Sequence, residues 1–385
     1  MTMTLAVPMP TARRGSGGPV RVSFLIDNLG RAGTESQLLA LIRTLDRSRI
    51  EPSLVVLDGE SEVSRELEPP DCPILRLGVT KLFGRGAFRA ARRLRRFWRA
   101  QRPDIAQIYF LDSAYFGVPV ARLAGVPKIV RVRNNLSYWL TRKHRLLNRV
   151  LRPFVNATLT NSEAGRVALV EQDGLRRDRI DVIENGVDLE RFHPARHRPF
   201  SGDAIRVGCV ANLRPVKNID GLLRTASVLL KEFPNLIFEV AGEGEQRPEL
   251  EKLHAELGLG TRFRFLGSVR AIPDFLTGLD LAVLPSHSEG MSNALLEAMA
   301  AGRPIVATDV GANATLLDGG HCGMIVATSS DRDLIAATRR ALADPVSARR
   351  CGASARLRVE REYSRDAMRL RFEEFYLKLA GVSVG

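Results

Sequence analysis

Glu289 and Glu297, with seven residues between them, frame the stretch of this 385-residue chain richest in potential chemistry. From Leu281 to Gly311, an apolar run ends at Pro285, a loop follows, and a helical pattern begins near Ser292. An ionised carboxylate accepts two hydroxyl hydrogen bonds at once, which suits a hydroxyl-rich ligand. The amides of Gly290, Met291, Ser292 and Asn293, at a helix start, suit phosphate oxygens. A second group, Arg214 and Lys217, lies between the apolar run Ile205 to Val210 and a helical pattern from Ile219. Two cations between a strand end and a helix start can hold a pyrophosphate; the competing reading is a solvated basic loop. A third group is Gly30 and Gly33 with Glu35, after the run Val20 to Ile26. Glycines at such a turn let backbone amides approach a phosphate or sugar, although the spacing is not the dinucleotide fingerprint.

No metal is expected in the chemistry. Asp331-Arg-Asp333 mimics an Asp-x-Asp metal motif, but it follows Thr328-Ser-Ser and opens a helical pattern, so helix capping is the better reading. No His/Cys cluster has ligand spacing. Cys72, Cys209, Cys322 and Cys351 are too far apart for a zinc site or a disulfide framework, and reduced thiols in a cytoplasmic protein are the expectation. The sequons at Asn135, Asn156 and Asn313 read as chance matches in a chain that is not secreted.

The elements that must position these groups alternate along the chain. Val20 to Ile26, Ser53 to Leu57, Ile105 to Tyr109, Lys128 to Val132 and Ala157 to Thr160 read as strands separated by amphipathic segments. The pattern restarts at Ile205 to Val210 and continues through Leu236 to Ala241, Phe263 to Leu266, Leu281 to Leu284, Ile305 to Ala307 and Met324 to Val326. This is an α/β chain with two doubly wound Rossmann-like domains, expected to face each other across a cleft, because such sheets bind ligands at the carboxyl ends of their strands. The expected limits are a flexible tail over 1–19, a first domain over 20–185, a linker over 186–203, a second domain over 204–362, and a helix over 363–385 crossing back to the first domain.

Hydrophobic residues make up 45% of the chain, enough for two cores and too many for disorder. No apolar run reaches the roughly 18–20 residues of a membrane span, and the start of the chain does not read as a signal peptide. The net charge of +14 is one-sided: residues 1–200 carry 34 basic and 20 acidic side chains, and residues 201–385 carry 23 of each. Lys81 to Arg152 alone holds 18 basic residues against Asp104 and Asp112. Such asymmetry points to an anionic partner of the first half.

These features together resemble the retaining glycosyltransferases of family 4, two-domain enzymes of the GT-B architecture that move a sugar from a nucleotide sugar. The resemblance spans about Val20 to Leu379 and rests on Gly30-Gly33-Glu35, Asn185-Gly-Val-Asp188, Lys217-Asn218, Gly242-Glu-Gly244 and the Glu289 to Glu297 block. It implies that Glu289 contacts the donor sugar, Glu297 the ribose hydroxyls, and Lys217 the diphosphate with Arg214 beside it. Gly30, Gly33 and Gly242 would belong to the binding loops, and the amides of Gly290, Met291, Ser292 and Asn293 would face sugar and phosphate. The sequence departs from the family where the usual Gly-Arg reads Ala211-Asn212. A common histidine is also replaced, with Tyr109 in its place and Asp112 the nearest ionisable group, so that Asp112 with Arg133-Asn134 is expected to line the sugar and acceptor site.

The resemblance implies a hexose-type nucleotide-sugar donor, uridine first and guanosine next, with no further cofactor. The acceptor would be lipid-linked or a polysaccharide, in cell-surface polysaccharide or glycolipid assembly. The segments Gly86 to Arg102 and Tyr138 to Phe154 mix arginines with aromatics and leucines, a composition that suits docking on an anionic membrane surface. The expected location is therefore cytoplasmic and peripheral on the inner face. No nucleic-acid motif accompanies the charge, and the carboxylates would repel a nucleic acid. The alternatives are an enzyme with a small soluble acceptor and a non-catalytic binder of sugar nucleotides or polyanions.

Overall fold

A computed structural model describes residues 18–30, 32–59, 62–134, 141–194, 199–327 and 330–382. Most of the expected tail, the Asn135 sequon, Tyr138, Trp139, Thr328 and linker positions 195–198 lie outside them. The chain divides into two compact units: Met1–Glu184 with Asp366–Gly385, and Asn185–Arg365.

The first unit holds seven strands: β1 (Val20–Ile26), β2 (Ile50–Val56), β3 (Ile74–Arg76), β4 (Ile105–Tyr109), β5 (Lys128–Val132), β6 (Ala157–Thr160) and β7 (Ile180–Val182), in the order β3-β2-β1-β4-β5-β6-β7. The second unit holds β8 (Ile205–Val210), β9 (Leu236–Ala241), β10 (Phe263–Gly267), β11 (Leu281–Leu284), β12 (Ile305–Thr308) and β13 (Met324–Val326), in the order β10-β9-β8-β11-β12-β13. Every pairing between these strands is parallel. Parallel sheets covered on both faces demand near-continuous apolar strands, and β1, β4 and β11 supply them. In each unit the strand order reverses beside the first strand. The reversals fall between β1 and β4 and between β8 and β11, the positions where doubly wound sheets bind ligands.

Helix Arg85–Gln101 shows how an arginine-rich segment still packs. Ala90, Leu94, Phe97 and Trp98 line its buried stripe, and the Trp98 indole donates to Ser23 Oγ on β1 at 2.8 Å. Helix Arg365–Ala380 lies almost wholly in the first unit, which it enters after the chain has built the second. Tyr376, fully buried, meets Phe24 of β1 edge-on with ring centroids 6.3 Å apart. The Tyr376 hydroxyl donates to Gln107 Oε1 at 3.0 Å, and Gln107 Nε2 donates to the Tyr109 hydroxyl at 2.7 Å. Glu373, also without exposure, accepts from the Asp46 amide at 2.9 Å and pairs with Arg49 and Arg369, each at 3.1 Å.

The four cysteines are free, three of them buried, and burial pushes the Cys72 and Cys209 thiols up to about 12. Among the described residues no helix is long and apolar enough to cross a membrane.

Candidate active site

The loops after β8 and β11 meet at the switch point of the second unit. After β8 the chain forms a single turn, Pro215–Lys217, then Asn218 in a left-handed conformation (φ 53°) as the cap of helix Ile219–Glu232. Asn218 holds both loops: its Oδ1 accepts from the Gly221 amide at 3.2 Å, and its Nδ2 donates to the Pro285 carbonyl at 3.0 Å. The His287 amide donates back to the Val216 carbonyl at 2.8 Å. This cross-bracing delivers Lys217 to Glu289, Nζ to Oε1 at 2.5 Å, and the same oxygen accepts from Ser286 Oγ at 2.8 Å.

The two side chains are mostly shielded, at 24% and 11% exposure. Arg214 is exposed, with no ion-pair partner among the described residues.

Beyond Glu289 the loop turns into helix Asn293–Ala300, whose first turn Ser292 caps by accepting from the Leu295 amide at 3.3 Å. Gly290 accepts from the Ala312 amide at 2.9 Å. Gly311 makes this close approach possible: at φ 60°, a Cβ there would lie 2.2 Å from the Glu289 carbonyl oxygen. Met291 is buried, its sulfur accepting from the Asn185 amide at 3.2 Å, and Asn185 Nδ2 donates to Asn293 Oδ1 at 2.8 Å. Glu297 is partly buried one turn further along. Burial raises its carboxyl to about 7, against the pull of Arg191 and Arg365.

Gly242 lets the loops after β8 and β9 touch, since a Cβ at its φ of 150° would lie 1.9 Å from the Ala211 carbonyl oxygen.

In the first unit Gly30 lies in the loop after β1, and Gly33 is the exposed first residue of helix Gly33–Thr44. Tyr109 ends β4 buried within the Gln107 and Tyr376 network, with its hydroxyl turned inward. Asp112 is exposed in the first turn of helix Leu111–Ala124, two residues after Phe110, whose φ of 59° and ψ of 175° only glycine adopts without strain. The next residue, Ser113, donates its amide to Asp27 Oδ1 at the end of β1 at 2.8 Å, and burial raises the Asp27 carboxyl. Strained backbone and a half-buried carboxylate thus sit together at the first unit's own switch point. Nothing in the spacing marks Asp27 beyond its place at a strand end.

Arg133 is buried against Asp173 at 2.8 Å. Ser330 caps helix Asp331–Ala343 by accepting from the Asp333 amide at 3.2 Å, and Asp331 pairs with Arg224. Among the described residues no three His, Cys, Asp or Glu side chains gather as a metal site would need.

Residues 195–358 match the family model for glycosyl transferases group 1, and residues 31–191 match that for Glycosyltransferase Family 4. With both units covered by these models and both sheets in Rossmann order, the chain is a glycosyltransferase of the GT-B type. The 2-deoxystreptamine glucosyltransferase of Streptomyces kanamyceticus is 28% identical over 342 residues, 80% of this chain and 85% of that protein. The UDP-Gal:alpha-D-GlcNAc-diphosphoundecaprenol alpha-1,3-galactosyltransferase of Escherichia coli is 27% identical over 268 residues, 64% of this chain and 68% of that one. Among solved structures, Anabaena HepE in complex with UDP and glucose superposes with a TM-score of 0.82 at 19% identity, over 93% of this chain and 100% of that chain.

Proposed function

We propose that the chain is a retaining, metal-independent glycosyltransferase of family 4, moving a hexose-type sugar from a uridine-diphosphate sugar to a lipid-linked or polysaccharide acceptor in cell-surface glycan assembly. The observation that carries this reading is the Lys217 and Glu289 pair, set at the β8/β11 switch point beside a capped helix start. The bound UDP and glucose of HepE support a uridine donor, with guanosine the next candidate. The diphosphoundecaprenol acceptor in the name of the E. coli relative supports a lipid-linked one.

Retention by two inversions needs a carboxylate nucleophile at the anomeric carbon. Glu289 suits that role poorly, because its Oε1 already accepts from Lys217 and Ser286. The reading is therefore front-side attack, in which Arg214, Lys217 and the amides from Gly290 to Asn293 stabilise the departing diphosphate. Glu289 contacts the sugar hydroxyls, Glu297 the ribose, and Asp112 the acceptor hydroxyl.

Thermal shift with a panel of nucleotide sugars tests the reading, and selective stabilisation by one uridine-diphosphate sugar is the expected result. No response to any nucleotide sugar would overturn it. The same assay carries a pH signature. A carboxyl near 7 is mostly protonated at pH 6 and accepts ribose hydroxyl bonds less well, so nucleotide affinity rises from pH 6 to pH 8. Glu297→Gln flattens that step; an unchanged slope in the variant would remove Glu297 from the ribose.

The membrane part of the proposal rests on an apolar groove of about 990 Å³ in the first unit, lined by Leu82, Phe83, Phe88, Tyr115, Leu147 and Val150. Phe83 and Phe88 are 89% and 66% exposed, and Arg85 and Arg89 stand among the lining residues. Apolar side chains ringed by cations suit the inner membrane face, at roughly 1 kcal/mol per basic residue close to an anionic surface. Co-sedimentation with anionic vesicles should exceed that with neutral ones and fall in Phe83→Ser/Phe88→Ser. Equal binding to both vesicle types would eliminate the docking.

A further inference from the structure

A second cavity, of about 450 Å³, opens in the first unit. Strands β5 and β6, helix Arg142–Leu151 and the end of helix Glu163–Asp173 contribute its walls, and its volume falls within the range of small-ligand sites. Six of the lining residues are arginines and one, Asp173, is a carboxylate. Arg131, Arg133 and Asn148 are each more than nine-tenths buried.

Arg131 projects from mid-strand β5, opposite Thr158 of β6. Its guanidinium donates to Asn148 Oδ1 at 3.1 Å, a neutral partner; Asp173 pairs with Arg133 through Oδ2 at 2.8 Å, while its Oδ1 is a buried acceptor with no hydrogen-bond partner. The other end of the Asn148 amide, Nδ2, is a buried donor with no hydrogen-bond partner. Burying a charge is costly unless an opposite charge meets it, and a buried donor left unpaired adds to that cost. Burial, with the neighbouring Arg133, also pushes the Arg131 guanidinium down to about 10. At the mouth, Arg149 and Arg152 are exposed, while Arg176 is paired with Asp178. Guanidinium forks around an unpaired amide donor match the oxygens of a phosphate group.

We propose that this cavity is a phosphate site, taking a phosphomonoester or diphosphate between Arg131, Asn148, Arg149 and Arg152. It does not depend on the donor site in the second unit. Helix Arg142–Leu151 turns Asn148 and Arg149 to the cavity and Leu147 and Val150 to the apolar groove, so the phosphate can belong to a soluble metabolite or to a lipid headgroup.

The test is calorimetric titration with inorganic pyrophosphate at constant ionic strength, in the full chain carrying Lys217→Ala so that the donor site is silenced. One saturable site is expected. Arg149→Gln/Arg152→Gln, both exposed, should weaken it at least tenfold. Arg142→Gln/Arg145→Gln removes the same charge from the same helix outside the cavity lining and should leave it within twofold. No saturable binding, or an equal loss in the two double variants, would overturn the proposal. Co-sedimentation with phosphatidic acid vesicles then separates the sources. Binding that pyrophosphate competes away, and that Arg149→Gln/Arg152→Gln loses, identifies a lipid headgroup. Vesicle binding indifferent to both, alongside the calorimetric loss, identifies a soluble phosphate.

Discussion

Lys217→Ala should lower kcat by about 10²–10³-fold, the scale set by removing one preorganised group from a developing anion. Its ammonium is the cation best held at the switch point, between the Asn218-braced turn and Glu289. The fold should survive, at a cost of about 1–2 kcal/mol for leaving the Glu289 carboxylate with the Ser286 hydroxyl as its one side-chain partner among the described residues. Glu289→Gln should bring a comparable fall in turnover, because an amide keeps the size and loses the charge that meets both Lys217 and the sugar hydroxyls. Turnover near the parent value in both variants, with thermal midpoints preserved, would sink the assignment of this site.

Gly311→Ala should damage stability and turnover together. A left-handed backbone at a non-glycine residue costs roughly 1–2 kcal/mol. The new Cβ would also meet the Glu289 and Gly290 carbonyl oxygens at 2.2 and 2.6 Å, so the loop holding Glu289 must move. Misplacement by about 1 Å can cost on the order of 10²-fold in rate, and a clash with backbone leaves no flexible side chain to yield. Gly319→Ala is the control, with nearly the same φ, 61°, and open space around its Cβ. It should cost stability alone. Equal kcat in both variants would show that the contact between Gly311 and the Glu289 loop has no part in activity.

The strands most legible in the sequence were those buried on both faces. Ile105–Tyr109 and Leu281–Leu284 are buried along their whole length, and their limits in the structure, like those of Ile205–Val210, match the reading residue for residue. The outermost strands of the first sheet, Ile74–Arg76 and Ile180–Val182, were missed because a run of three residues is too short to carry a period. β2 begins at Ile50, three residues before the expected Ser53, since a proline at position 52 hid its start. Trp98 looked like one aromatic among arginines, and only its bond to Ser23 shows that it anchors the helix.

For the candidate site, residue types were legible and distances were not. Lys217 and Glu289 are 72 positions apart, and it is the crossover from β8 to β11 that closes the gap. The arginine-lined cavity was hidden because the fold, not the spacing, turns Arg131 and Arg133 towards the wall that the stretch from Asn148 to Thr158 supplies. Most of the basic residues from Lys81 to Arg152 are surface charge, and nothing in their spacing marks Arg131 and Arg133 as interior.

Helix Arg365–Ala380 gives the chain an order of assembly. Gln107, Asp46 and Arg49 are synthesised long before the partners that satisfy them, Tyr376 and Glu373. Until then the growing chain carries an unfilled hydrophobic seam beside β1 and a cluster of polar groups without counterparts. Domains tend to fold as they leave the ribosome, N-terminal first. Here that rule is inverted for completion: the second unit can close its core while the first, begun earlier, still waits for the sixteen-residue helix Arg365–Ala380. A nascent chain stalled before Tyr376 would therefore expose the half that carries the excess positive charge.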